Sequence, residues 1–350
     1  MRSCGQADLF LRLLGAMVFG LVLPALSAAG AQDKIRVGYL PLLPSAHEFV
    51  AAEKGWFREL GLPVEEFRFR SGPPMTQAFI AGQLDVAYFG VGPALMAVSR
   101  GVKAKIIAGS TMNTVAVIAR DPFAEGFERR PNRAAFQGYQ KRTGQRVRIG
   151  TFEAGSTSYL LALYWLQQLQ VDPLREMELV RMGEDQQRRT VQSKQIDIAV
   201  SVEPIITLGR RASPAYRAIA WGKDILPGQP GSVLFVRQTL LDERPDVAEK
   251  LVQLHLRATA LLTEERDEAA RLISRKIGAD VLPVSVARET LDSPAIRWIS
   301  SPHALVAGAE TYNRFQVTMG LSRTPLSADD LFDFRFYDRV FNRQPQSKKY

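Results

Sequence analysis

The side chains able to do covalent chemistry are few and scattered along this 350-residue chain. The one cysteine, Cys4, lies near the amino end. The three histidines, His47, His255 and His303, are too far apart for a local metal motif or a triad signature. A cysteine nucleophile, a thiolate-bound metal and a disulfide framework are therefore not expected, and neither is a cofactor. What recurs instead is a set of short loops rich in Gly, Ser, Thr and Pro that run into helices. They are residues 41–47, Ser71-Gly72-Pro73-Pro74, Gly90-Val91-Gly92-Pro93, residues 153–157 and residues 201–204. A helix start presents unpaired N–H groups and the positive end of the helix dipole, which suits an anion or a polar acceptor. Gly155-Ser156-Thr157 is the strongest of these sites, because glycine permits close backbone approach and either hydroxyl can cap the helix or contact a ligand. Each loop also has a plainer reading. Gly90, Gly92 and Pro93 can simply shape a turn, His47 can start a helix, and Glu203 can be a solvated loop acid.

Such loops need strands and helices in alternation to hold them, and the apolar pattern supplies that. Strands are predicted at 35–40, 64–69, 85–89 and 105–108, with helices at 46–60, 75–81 and 94–100 between them. Gly61 ends the first helix. A second series follows, with strands at 147–151, 178–181 and 197–200 and helices at 156–169 and 186–193. The two series echo each other. Ile35-Arg36-Val37-Gly38 recurs as Val147-Arg148-Ile149-Gly150, and Gln83-Leu84-Asp85-Val86-Ala87 recurs as Gln195-Ile196-Asp197-Ile198-Ala199. Both offsets are 112, since 147 − 35 and 195 − 83 agree. This predicts two α/β lobes of one plan, each a mostly parallel sheet with helices on both faces. Ligands then bind beyond the carboxyl ends of the strands.

Residues 106–120 and 218–236 read as extended crossings, so the chain enters the second lobe and returns to the first. The expected limits are 32–112 for the first part of lobe 1, 113–231 for lobe 2, and 232–350 for the return and the carboxyl-terminal helices. Residues 121–145, polar and rich in arginine, read as a surface excursion.

The amino end reads as an address. Arg2 and Arg12 precede an uncharged stretch at 13–26, and Ala28-Ala29-Gly30-Ala31 offers a cleavage site. Residues 1–31 are thus expected to be a signal peptide cut near Ala31, which places the mature protein in the periplasm. Fourteen uncharged residues span about 21 Å as a helix, short of a ~30 Å bilayer core. Net charge is +9, or +8 once Arg2, Arg12 and Asp8 leave with the leader (9 − 2 + 1). The basic residues are dispersed and no nucleic-acid-binding motif accompanies them, so a nucleic-acid partner is not expected.

Lys34-Ile-Arg-Val-Gly-Tyr-Leu-Pro41, Ala51-Ala-Glu-Lys-Gly-Trp-Phe57, the Ser71 loop, the run from Ala81 to Leu95, Gly155-Ser-Thr-Ser-Tyr159 and the stretch from Gln195 to Pro204 occur here in a characteristic order. In that order they resemble the nitrate/sulfonate/taurine-type periplasmic binding proteins. The resemblance implies a type II periplasmic binding protein fold: two doubly wound α/β lobes, two crossing strands and a cleft that closes by a hinge. It implies capture of a small anionic solute, without turnover, by a monomer that serves the permease and ATPase of an ABC importer. Carried over by position, the family's ligand contacts fall on Ser45, His47, Ser71, Gly72, Gly90, Gly92, Pro93, Asn113, Gly155, Ser156, Thr157 and Glu203. This chain departs from the family pattern in having Ser201-Val202 before its Glu-Pro pair, in the 121–145 insert, and in lacking a cationic lining. The rival readings are a biosynthetic enzyme on the same fold and the ligand-binding module of a sensory receptor.

Overall fold

A computed structural model describes residues 34–212 and 216–343. The leader expected at 1–31 lies outside the described residues. The chain opens with β1 (Ile35–Tyr39), β2 (Val64–Arg68), β3 (Val86–Gly90) and β4 (Ala104–Gly109). A short β5 (Thr111–Met112) leads to β6 (Ala116–Ala119), followed by β7 (Val147–Thr151), β8 (Met177–Arg181) and β9 (Ile198–Ser201). The return runs through β10 (Arg217–Trp221) and β11 (Ser232–Arg237), and β12 (Arg297–Trp298) later pairs with β5. Two five-stranded sheets result, in the orders β2-β1-β3-β11-β4 and β10-β6-β9-β7-β8. Within each, the strands that run between helices are parallel. Two α/β lobes joined by two crossings result, as the sequence pattern implied. Among the described residues no helix is long and apolar enough to cross a membrane.

Each sheet is completed by a strand that belongs to a crossing. β11 enters the first sheet antiparallel to β3 and β4, and β6 enters the second antiparallel to β9 and β10. The 112-residue echo is exact in this geometry. Asp85 Oδ2 accepts the Arg36 N–H at 2.9 Å, and Asp197 Oδ2 accepts the Arg148 N–H at 2.9 Å. The exchanged strands end alike as well. Arg237 donates its N–H to Asp85 O and its Nε to Leu84 O, while Arg120 donates to Asp197 O and Ile196 O. An arginine at the carboxyl end of each borrowed strand, Arg237 closing β11 and Arg120 just after β6, thus plays the same part in the opposite lobe. Each aspartate ties three strands at one point, its carboxylate accepting one backbone N–H and its backbone oxygen another, and loss of the carboxylate leaves the first donor unpaired.

Three local expectations change. The helix predicted over 46–60 is two, Ala46–Glu53 and Trp56–Glu59, because Gly55 adopts a left-handed φ of 69° that no α-helix continues. The return crossing is not extended throughout, since Gly222–Ile225 forms one helical turn. Residues 121–145 are no surface excursion. They form helices Phe123–Arg129 and Arg133–Thr143, the second capped by Asn132 and closed by Gly144. Phe123 and Phe136 are fully buried and meet edge to face at 5.0 Å, and Phe127 and Phe136 lie 5.6 and 6.0 Å from Trp165. Four aromatics among many arginines carry this packing, so average polarity hid it.

Phe136→Ala should therefore destabilise the protein by about 3–5 kcal/mol, the cost of emptying an aromatic core site. A surface excursion would give a change within about 0.5 kcal/mol in the same denaturant titration.

Candidate functional site

The carboxyl ends of β1, β2 and β3 face those of β7 and β9, and a cavity lies between them. Its wall comes from both lobes: Leu40, Leu42, Pro44, Ser45, Ser71, Gly72, Phe89, Gly90 and Pro93 from the first, Phe152, Ser156, Thr157, Ser158 and Val202 from the second. Thr114 and Gly231-Ser232, on the two crossings, close its floor. The space is small. About 50 Å³ is open to the centres of water-sized groups, where a single water needs roughly 10–15 Å³. Its wall is mostly apolar, its polar side chains are hydroxyls, and no charged residue is part of it.

The helix starts that meet here differ in what they offer. Helix Gly72–Ile80 has Pro73 and Pro74 in its first turn and helix Val91–Ser99 has Pro93, so both give up N–H donors. Val91 N–H is engaged by Gly231 O at 2.9 Å. Helix Thr157–Gln168 is different. Ser156 is its N-cap and accepts the Tyr159 N–H at 3.1 Å, which leaves the Thr157 and Ser158 N–H groups at the cavity. On the opposite lobe Ser71 is 2% exposed, and its hydroxyl has no hydrogen-bond partner. A buried hydroxyl left unpaired costs about 1–3 kcal/mol, which a ligand can recover.

The lobes are in contact. Gly92 N–H reaches Thr157 Oγ1 at 3.4 Å, Leu43 N–H donates to Glu203 O at 3.1 Å, and Glu184 N–H donates to Arg70 O at 3.1 Å. Glycine is required at two of these points. A Cβ on Gly90 would stand 2.1 Å from Thr157 Oγ1, and one on Gly92 would stand 3.0 Å from Gly155 O.

Of the residues expected at the site, Ser45, Ser71, Gly72, Gly90, Pro93, Ser156 and Thr157 share this cavity. Gly92 lies behind it in the lobe contact. Gly155, at φ 90°, borders a neighbouring hollow with Met96 and Arg100. Asn113 is not brought to the cavity. It sits in a left-handed turn of the first crossing, φ 59°, with its N–H on Gln229 O, and its neighbour Thr114 takes the place. His47 is not there either, because the helix it begins turns its ring into the core of the first lobe. It stacks on His255 with centroids 4.0 Å apart and bonds Thr259 Oγ1 at 2.9 Å. Glu203 is fully buried but turns away from the wall, capping its own helix with Oε2 on Thr207 N–H at 3.0 Å. Sequence reasoning missed the apolar lining of Leu40, Leu42, Phe89, Phe152 and Val202, which alternation marks only as core.

Electrostatics at these positions follow burial. Desolvation pushes the Glu203 carboxyl up to about 7 against its bonds from Ser293 and Thr207. Desolvation lowers His255 to about 4, and desolvation together with His255 holds His47 well below the usual range.

The chain matches the NMT1-like family over residues 28–277. It is 28% identical over 246 residues to the nitrate import ATP-binding protein NrtC of Synechococcus elongatus, covering 68% of this chain and 37% of that protein. The bicarbonate-binding protein CmpA of Synechococcus is 24% identical over 286 residues, covering 76% of this chain and 63% of CmpA. The periplasmic nitrate-binding protein NrtA of Synechocystis shares the fold, with a TM-score of 0.75, 15% identity and 91% of both chains covered.

Two outcomes test this geometry. Gly90→Ala should hold the lobes apart, seen as a larger radius of gyration by X-ray scattering; an unchanged radius would contradict the contact. The stacked imidazoles are buried neutral, so the folded state binds fewer protons than the unfolded chain below pH ~6.5. Their stabilisation is present above pH 6.5 and is lost as pH falls, for His255 through about 4, by up to about 1.4 kcal/mol per pH unit for each ring. Denaturant midpoints from pH 7 to 4 should fall accordingly, and less steeply in His47→Gln.

Proposed function

The chain belongs to the NMT1-like family, and from that premise we propose that it is the solute-binding component of an ABC importer. It captures one compact solute by closing two lobes over it, releases it unchanged, and serves a permease and an ATPase from the periplasm as a monomer. The relatives support this reading: one is named for bicarbonate binding, one for nitrate binding, and one for the ATP-binding side of nitrate import.

The observation that carries it is the buried Ser71 hydroxyl, unpartnered on one lobe while the free N–H groups of Thr157 and Ser158 start a helix on the other. These are donors for an oxyanion or another acceptor-rich group of about the size of nitrate or bicarbonate. No cation lines the cavity. The charge of an anion would be met by hydrogen bonds and the helix dipole, which act strongly where water is excluded. The Ser71 donor belongs to one lobe and the Thr157 and Ser158 donors to the other, so affinity is coupled to closure.

Calorimetry with nitrate, bicarbonate and methanesulfonate as probes tests this. The wild type should bind at least one of them. Ser71→Ala should weaken that binding by about 1.5–3 kcal/mol, the worth of a hydrogen bond to a charged group. Thr157→Asp puts a carboxylate at the first helical position, where the dipole tolerates it, and should cost an anion a hundredfold or more, about 2.7 kcal/mol. Circular dichroism controls for folding. Equal affinity in Thr157→Asp would remove this helix start from the site, and tighter binding would mean a cationic solute.

A further inference from the structure

Glu203 does not touch the cavity, yet it stands where the lobes meet. From its own lobe it receives the Thr207 N–H on Oε2 and the Thr207 hydroxyl on Oε1, both at 3.0 Å. From the first lobe, Leu43 N–H bonds its backbone oxygen at 3.1 Å and the Ser293 hydroxyl reaches its carboxyl. The residue is 0% exposed. The charge that acts on it is Arg210 of its own helix. The neighbouring Arg211 is bound to Glu289, on the helix Val284–Leu291 that packs alongside.

We propose that Glu203 is a positioning residue that couples closure of the cleft to uptake of a proton. This rests on the reading that the two lobes open and close. Opening withdraws Leu43 and Ser293 and admits water, while the two Thr207 bonds, internal to the second lobe, remain. Those bonds and water favour the ionised carboxylate, whose ordinary pKa is about 4.3. In the closed cleft the carboxyl is dehydrated and pushed up to about 7. The closed state therefore holds the proton more tightly. Closing gains as pH falls through 7 and gains nothing more below the open-state pKa, by up to about tenfold per pH unit between. A second seam carboxyl, Glu184, is also raised to about 7, chiefly by desolvation and by Asp185, with Arg188 and Arg68 opposing. It is the group from which Glu203 must be distinguished.

The test needs no solute. Spin labels on Glu65→Cys and Glu178→Cys, exposed positions on β2 and β8, report the distance between lobes in the full chain with Cys4→Ser. Wild-type closure should increase as pH falls from 8 to 5. Glu203→Gln keeps the shape without the charge, its amide oxygen accepting the Thr207 N–H and its NH2 donating to the Thr207 hydroxyl, and should stay more closed at pH 8 and lose the dependence. Ser293→Ala removes a bond to the ionised form and should move the midpoint to higher pH, which keeps the idea testable if the Gln variant misfolds. A dependence that survives in Glu203→Gln and vanishes in Glu184→Gln overturns the assignment. Lobes that separate with no pH dependence overturn it too, while leaving solute capture standing. A distance fixed under every condition, with nitrate or bicarbonate added, overturns both.

Discussion

The structure depends on one exchange. Neither lobe can complete its sheet from its own βα units, because the strand beside β3 is β11 and the strand beside β9 is β6. Each borrowed strand is continuous with a crossing, so the lobes are built through the very segments that join them. Asp85 and Asp197 hold the junctions by accepting backbone N–H groups from β1 and β7. Two covalent crossings between two rigid sheets leave little freedom except rotation about the crossings. They also set the carboxyl ends of both parallel sheets face to face, which puts every βα loop of consequence in one place.

From that constraint follows the character of the site. The loops deliver hydroxyls and N–H groups but no charged side chain, and prolines blunt two of the helix starts. In the proposed binding function, selectivity rests on the size of the space, on the shape set by Phe89 and Phe152, and on a few donors. Glycines at 90 and 92 allow the lobes to meet closely beside the cavity. The segment Arg297–Trp298 covers the first crossing through its pairing with β5, and His255 bonds Gly109 where β4 ends. The first crossing is thus anchored to the first lobe.

Much of this was legible in the sequence. The echo at an offset of 112 anticipates β1 with β7 and β3 with β9 residue for residue, because repeated apolar runs with an aspartate before the strand encode the same junction twice. The loops that form the cavity were legible for the same reason, as turns between elements of opposite period. What escaped was side-chain direction. His47, Asn113 and Glu203 lie in the right loops, yet a helix rotation, a left-handed turn and a self-capping carboxylate send them elsewhere. Hydrophobic spacing likewise cannot separate a core phenylalanine from one such as Phe89 that borders a cavity. The Gly55 break escaped because a glycine inside an apolar helical pattern reads as tolerated, and only its left-handed φ marks the stop.

The most direct measurement is a crystal structure of the protein as isolated, with whatever solute it retains. The account predicts compact density between the lobes, within hydrogen-bond reach of Ser71 Oγ and the Thr157 and Ser158 N–H groups, with no covalent link to the chain. Density seated instead against Arg70 and Glu153 at the outer seam, or a closed cleft with the solute bound to one lobe alone, would contradict it.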